Sequence, residues 1–200
     1  MPVSRSILPS ATDLGVDEYR QVANMTEHNA IAQLGADVLR QQALPVDDFD
    51  CPEFRTTLAA MQRLMMAGNG VGIAAPQVHH ARQIIIVASR PGSRYPHAPL
   101  MAPLVMVNPV YQVIDATVVT DWEGCLSVPG IRARVPRYQS VEVSFQNESG
   151  EHCQCVLDGF PARVFQHEYD HLLGLVFLDR VESNRDIIAE TEFLKQREQA

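Results

Sequence analysis

Gln166-His167-Glu168-Tyr169-Asp170-His171 is the stretch on which the reading of this chain turns. Residues four apart share one helix face, so His167 and His171 can present two imidazoles to a single ion. Glu168 is offset from His167 by roughly 100° around the axis, because a helix has about 3.6 residues per turn. It can therefore reach a water on that ion without ligating it. Two ligands and a general base on one helix describe a metal-dependent hydrolase. The bland alternative is two surface histidines on a charged helix. The flanks oppose it: Phe160, Val164 and Phe165 come before, and Leu172, Leu173 and Leu175 after. A charged Glu168 inside such an apolar run needs a partner or a job. The spacing predicts a central helix over Gly159–Leu173, ended by Gly174.

A catalytic site of this kind needs a third protein ligand and one open position. The protease pattern that continues His-x-x-Gly-x-x-His would place it at Phe177, which cannot ligate. Asp179 and Glu182 follow too closely behind the helix end, and Glu190 and Glu192 sit in a polar tail; none is a convincing ligand. Upstream stands Glu123-Gly-Cys-Leu-Ser127, read as a loop. Gly124 lets the backbone come close, and a Cys125 thiolate would complete the set. Position alone reads Cys125 equally well as a buried structural cysteine. Cys153 and Cys155, two apart in a strand, read as packing residues.

Gly70-Val-Gly-Ile-Ala-Ala-Pro-Gln77 reads as a loop of small residues. Gly68, Gly70 and Gly72 follow a helix, whereas a dinucleotide fingerprint follows a strand and opens a helix. Close approach of backbone to a ligand is the better account. Gln77 could donate a hydrogen bond to an oxyanion, or could merely cap a turn.

The remaining elements follow from periodicity and punctuation. Ala30–Arg40 reads as a short helix or irregular segment. Phe54, Leu58, Met61 and Met65 recur at helical spacing after Pro52, and Gly68-Asn69-Gly70 stops that helix; its methionines are core. Gln83–Ser89 is a buried strand, and Arg90–Pro103 a Pro/Gly-rich surface loop. Short strands are expected at Leu104–Val107, Val110–Ile114 and Ala116–Thr120. Val141–Phe145 and Glu151–Leu157 form a hairpin around Asn147–Gly150. Asn184–Gln199 is a polar helix that packs loosely. The fold class is α+β: antiparallel strands packed around a central metal-binding helix, with a C-terminal helix.

Two hundred residues suit one compact domain. Residues 1–27 read as an N-terminal extension and 28–200 as a single catalytic domain. A net charge of −8 argues against a nucleic-acid or anionic-membrane partner, since both need a basic face. No apolar run approaches the length of a membrane span, and the start lacks the features of a secretory signal. Four cysteines do not make a disulfide framework in a chain this size. A cytoplasmic location is the default.

Taken together, Gly70–Gln77, Glu123–Ser127 and Gln166–Leu172 resemble the peptide deformylases, which show Gly-x-Gly-x-Ala-Ala-x-Gln, Glu-Gly-Cys-Leu-Ser and Gln-His-Glu-x-Asp-His-Leu in this order. The likeness covers roughly residues 28 to 182. It implies that Cys125, His167 and His171 bind one Fe²⁺ ion, replaceable by Zn²⁺, Ni²⁺ or Co²⁺, and that Glu168 is the general acid/base. It implies that Gln77 and the backbone N–H of Leu126 hold the developing oxyanion. Gly70, Gly72 and Ile73 would line the peptide groove. Arg132, Phe160 and Val164, with His167, would surround the methionine pocket. The implied reaction removes the N-formyl group from the initiator methionine of newly made polypeptides. The partners would be N-formylmethionyl peptides, as nascent chains at the ribosome. Arg163 departs from the aliphatic residue many members carry there. A metallopeptidase or amidase of another specificity is the rival enzyme, and a structural metal site in a binding protein the non-enzymatic one.

Overall fold

The computed structural model describes residues 30–92 and 94–198. The proposed extension, residues 1–27, lies outside them. Among the described residues three α-helices and six strands alternate with short 3-10 turns. The strands join in one antiparallel sheet of order β1-β2-β3-β4-β5, with β6 on the far edge of β4.

Strand β2, Ile84–Ser89, is buried along its whole length. Its side chains alternate between two cores. Ile84 and Ile86 join the cluster of the first helix, and Ile85 and Val87 join that of the second. A strand covered on both faces reads as a continuous apolar run, which is why it was legible. The covering helix on one side is α1, Pro52–Ala67, with Pro52 in its first turn and Phe54, Leu58, Met61, Leu64 and Met65 buried. On the other side lies α2, Gly159–Leu172. Every residue from Ala162 to Leu172 except Tyr169 is buried, and the helix touches β1, β2, β4 and β5. A helix buried nearly all round belongs in a core, and its buried polar groups then need partners; here it is also the helix of the two histidines.

Four expectations need correction. Gly70–Gln77 is not a loop throughout: Gly72–Ala74 forms β1, paired to β2 with Ile73 opposite Ile86, and Ala75–Val78 forms a 3-10 turn. Small residues carry no periodicity, but the edge of a buried strand needs backbone partners. The three short strands after residue 100 are one, β3, Met101–Cys125. Asn108-Pro109 and Asp115 break the register rather than the strand, so the punctuation marks bulges. Likewise β4 runs Val128–Gln146, far ahead of the expected Val141. Pro129, Gly130 and Pro136 hid its first half. Finally, the C-terminal helix α3 is Glu190–Glu198. Before it, Ile187–Ala189 forms β6 against Ile131–Ala133 of β4. Its attachment is not loose, because Phe193 is buried against Trp122. The hairpin to β5, His152–Asp158, follows expectation. Ala30–Arg40 holds a single 3-10 turn at Asp37–Arg40. No helix among the described residues is long and apolar enough to cross a membrane.

Gly174 closes α2 at φ +75°, and a Cβ there would lie 2.8 Å from the Arg40 carbonyl. Substituting Gly174→Ala should therefore cost about 2 kcal/mol or more, as strained backbone meets an immovable neighbour. Urea midpoints of the two proteins measure it.

Candidate active site

Three segments converge where α2 crosses the ends of β1 and β3. His167 and His171 project from one face of α2, their ring centroids 5.4 Å apart. Cys125, the last residue of β3, faces them, with Sγ 3.3 Å from His171 Nε2. One donor atom from each of the three residues lies within 4.8 Å of the others. One thiolate and two imidazoles form a donor set suited to a borderline divalent cation. His171 Nδ1 is buried without a hydrogen-bond partner.

Glu123 organises His167. Its Oε2 lies 2.8 Å from His167 Nδ1. A carboxylate only accepts, so Nδ1 donates and Nε2 is left to ligate. Arg137 grips the same carboxylate with Nε at 2.9 Å and Nη2 at 3.0 Å, and Arg163 Nη1 adds a third donor at 2.9 Å. Burial opposes ionisation of Glu123, but Arg137 and the His167 hydrogen bond outweigh it and hold the carboxyl well below its ordinary range. Arg137 also donates to Asp170 at 2.6 Å, and Arg180 binds Asp170 from outside at 2.7 Å. The face of the His167 ring stacks on Phe177, 5.8 Å between centroids. The position where the protease pattern sets a third histidine thus supports the first one.

Cys125 sits among donors. Gln77 Nε2 and the Ser127 N–H both approach its sulfur at 3.4 Å. Burial alone would raise the thiol, but the two imidazoles bring it well below the usual value. Burial would lower His167, yet the Cys125 and Glu123 hydrogen bonds hold it well above the ordinary histidine range. Glu168 goes the other way. Burial pushes its carboxyl up to about 7, a rise that the nearby imidazoles only partly offset. Its Oε2 has no hydrogen-bond partner. Its Oε1 fills the space where a Cβ on Gly72 would stand, 2.3 Å away. Gly72 is therefore a glycine because the carboxylate of α2 presses on the backbone of β1.

One side of this arrangement borders a cleft of about 240 Å³. Gly70, Gly72, Gln77, Leu126, Arg132, Phe160 and Val164 line it together with Cys125, His167 and Glu168. Ile73 does not: its side chain is fully buried in the α1 core, so only its backbone can face a ligand. Gln77 accepts from the Ala74 N–H at 2.8 Å through Oε1, and its amide also donates to Ser127 at 3.1 Å. Leu126 occupies the turn between β3 and β4, with its methyl groups against Gly68 and Gly70. Arg163 is buried and donates to the Val119 and Val135 carbonyls as well as to Glu123. Sequence reasoning passed over Glu123, Arg137 and Asp170 as functional residues. The available signal was Asp170 itself, a second carboxylate inside the buried histidine helix.

The sequence model of the polypeptide deformylase family matches residues 28–186. A protein named peptide deformylase 2 from a Nostoc species is 47% identical over 163 residues, covering 82% of this chain and 91% of that protein. One of the same name from Shewanella oneidensis is also 47% identical, covering 82% and 89%. The structure resembles that of a class I type b peptide deformylase from Acinetobacter baumannii bound to Met-Ala-Ser, with a TM-score of 0.73 and 44% identity over 76% of this chain and 96% of that one. It also resembles the Thermotoga maritima enzyme, with a TM-score of 0.68 and 35% identity over 78% and 98%.

Arg137 neutralises two buried carboxylates, so Arg137→Met should cost about 3–5 kcal/mol at neutral pH. The wild-type contribution of Glu123 has a defined sign. Its folded carboxyl titrates below the ordinary 4.5, so the stabilisation is full above that pH and is lost as pH falls toward the folded value. Denaturant titrations at pH 7 and pH 4 should show the wild type weakening on the acid side and the variant weakening less.

Proposed function

We infer the chemistry of the cleft from one premise: the chain belongs to the peptide deformylase family, hydrolases that remove the N-formyl group from nascent polypeptides, and it is one of these enzymes. The observation that carries the residue assignments is the clustering of Cys125, His167 and His171, with Glu168, Cys125 and His167 bordering one cleft. These three would hold the ion. We assign Fe²⁺, with Zn²⁺, Ni²⁺ or Co²⁺ as substitutes; a mixed sulfur and nitrogen donor set suits all four. When bound, such an ion supplies Lewis acidity, which makes water nucleophilic near neutral pH and polarises the formyl oxygen.

Glu168 is assigned the proton transfers. It takes the proton of the attacking water and delivers it to the departing amine, so formate and a free amino terminus leave. Its raised pKa, near 7, suits a group that must both accept and donate. Gln77 and the Leu126 N–H are assigned to the oxyanion. The Gln77 amide is held by Ala74, and its long contact to Cys125, 3.4 Å, is the one it can exchange for the oxyanion. The outer edge of β1 ends the sheet, and Gly70, Gly72 and the Ile73 backbone are assigned to an extended peptide there. Phe160, Val164 and Arg132 are assigned to the methionine side chain. The substrates are formylated peptides; we place the encounter in the cytoplasm, with nascent chains at the ribosome.

Release of formate from formyl-Met-Ala-Ser, with the metal kept reduced, tests the reaction. Glu168→Ala should retain the metal and lose about 10²–10⁴-fold in turnover; turnover at the wild-type rate would remove the base from this position. Cys125→Ser should lower the metal content per chain by elemental analysis. An unchanged ratio would strike Cys125 from the ligand set.

A further inference from the structure

The wall of the cleft opposite α2 comes from three segments that the proton transfers do not use: the loop after β2, the start of β4 and the C-terminal segment. They meet at Arg132, which is 5% exposed. Its guanidinium lies flat on Gly124, where a Cβ would be 2.3 Å from Nη1 and 2.5 Å from Cζ. Nη2 donates to Glu190 Oε1 at 2.5 Å, and Nη1 donates to the Tyr95 hydroxyl at 3.2 Å. The Phe193 ring sits 5.6 Å from Cζ. The Tyr95 ring in turn packs on Phe160, 4.6 Å between centroids. The backbone repeats the connection, because Arg132 pairs with Ile188 of β6, two residues before Glu190.

One donor is left over. Arg132 Nε is buried without a partner. An orphaned buried donor is costly, so the orientation of the guanidinium is imposed by its other contacts. Gly124 bounds one face, and Glu190 grips the end. Glu190 opens α3, where the helix dipole favours a carboxylate, and its hydrogen bond to Arg132 keeps its carboxyl below the ordinary range. Its ion-pair partners among the described residues are Arg132 and Arg94; neither is a proposed ligand or base.

We propose that Glu190 is a specificity-determining positioning residue: acting through Arg132 and Tyr95, it holds the side-chain pocket of the cleft to the width of a long unbranched apolar residue. The inference rests on the deformylase reading of the cleft. It gives the C-terminal segment a task in substrate selection, separate from the chemistry at the formyl carbon. Without the Glu190 carboxylate the guanidinium can turn to pair its Nε, Tyr95 loses its anchor on Phe160, and the pocket widens. A loose pocket weakens binding of methionine more than of alanine, because less apolar surface leaves water. The effect therefore falls on KM and leaves kcat nearly alone.

Formate release is measured from formyl-Met-Ala-Ser and formyl-Ala-Ala-Ser for wild type, Glu190→Ala and Glu190→Gln. Trp122, the one tryptophan of the chain, packs on Phe193 at 5.7 Å, so its emission reports whether α3 stays docked. Glu190→Ala should raise KM for the methionine peptide about tenfold, with kcat within about twofold, and narrow the preference over alanine by a similar factor. Glu190→Gln keeps an acceptor oxygen and should recover most of that preference with unchanged emission. Wild-type preference in the alanine variant overturns the proposal, and so does a fall in kcat at constant KM. Should the alanine variant release α3, the glutamine variant decides: preference above the alanine variant supports the proposal, and equal loss overturns it. A wild-type protein that released no formate from the methionine peptide would instead overturn the deformylase reading.

Discussion

One buried carboxylate organises this protein. Glu123 comes from β3, Arg137 from β4, and Arg163 and His167 from α2, and all four are buried where they meet. An unpaired carboxylate at that depth would be very costly, so the strands and the helix must arrive in one register to neutralise it. The same contact fixes the tautomer and the ring plane of His167. Structural cohesion and the placement of the nitrogen donor are therefore two effects of a single ion pair. Phe177 completes the arrangement by stacking on the ring.

Around that point the packing leaves little freedom. Ile84, Ile85 and Ile86 are almost fully buried, alternately against α1 and α2, each contributing about 1.5–3 kcal/mol of transfer free energy. The sheet is held from both sides, so the edge strand β1 has a fixed distance to α2. That distance is the gap between the Gly72 backbone and the Glu168 carboxylate. A raised carboxyl pKa follows directly, since β1 covers the group and provides no hydrogen-bond donor to its Oε2.

The parts of this design that follow a local rule could be read from residues alone. The spacing of His167 and His171, the apolar flanks of α2, the doubly buried β2 and the capped α1 all obey helix or strand periodicity. What escaped was set by partners distant in sequence. Asn108-Pro109 and Pro136 look like strand ends, yet they are bulges and edges within long strands, because β3 and β4 stabilise each other across them. Ile73 stands in a glycine-rich motif, but its side chain belongs to the α1 core. Glu123 was visible only as the start of a motif. Its role depends on Arg137, fourteen residues away, and on Arg163, forty away. The short strand β6 was hidden in a polar tail whose purpose is to meet β4.

Two of the clustered donors ride on one helix, while the third ends a strand 46 residues earlier than His171. An unfolded chain keeps them far apart, and neither half alone makes the cluster. Any cation held there binds the finished fold and little else, so its occupancy adds to stability by mass action. Metal supply would then do more than switch on an activity. It would set the lifetime of the folded chain, and a cell short of the ion would hold a smaller stock of this protein as well as a less active one.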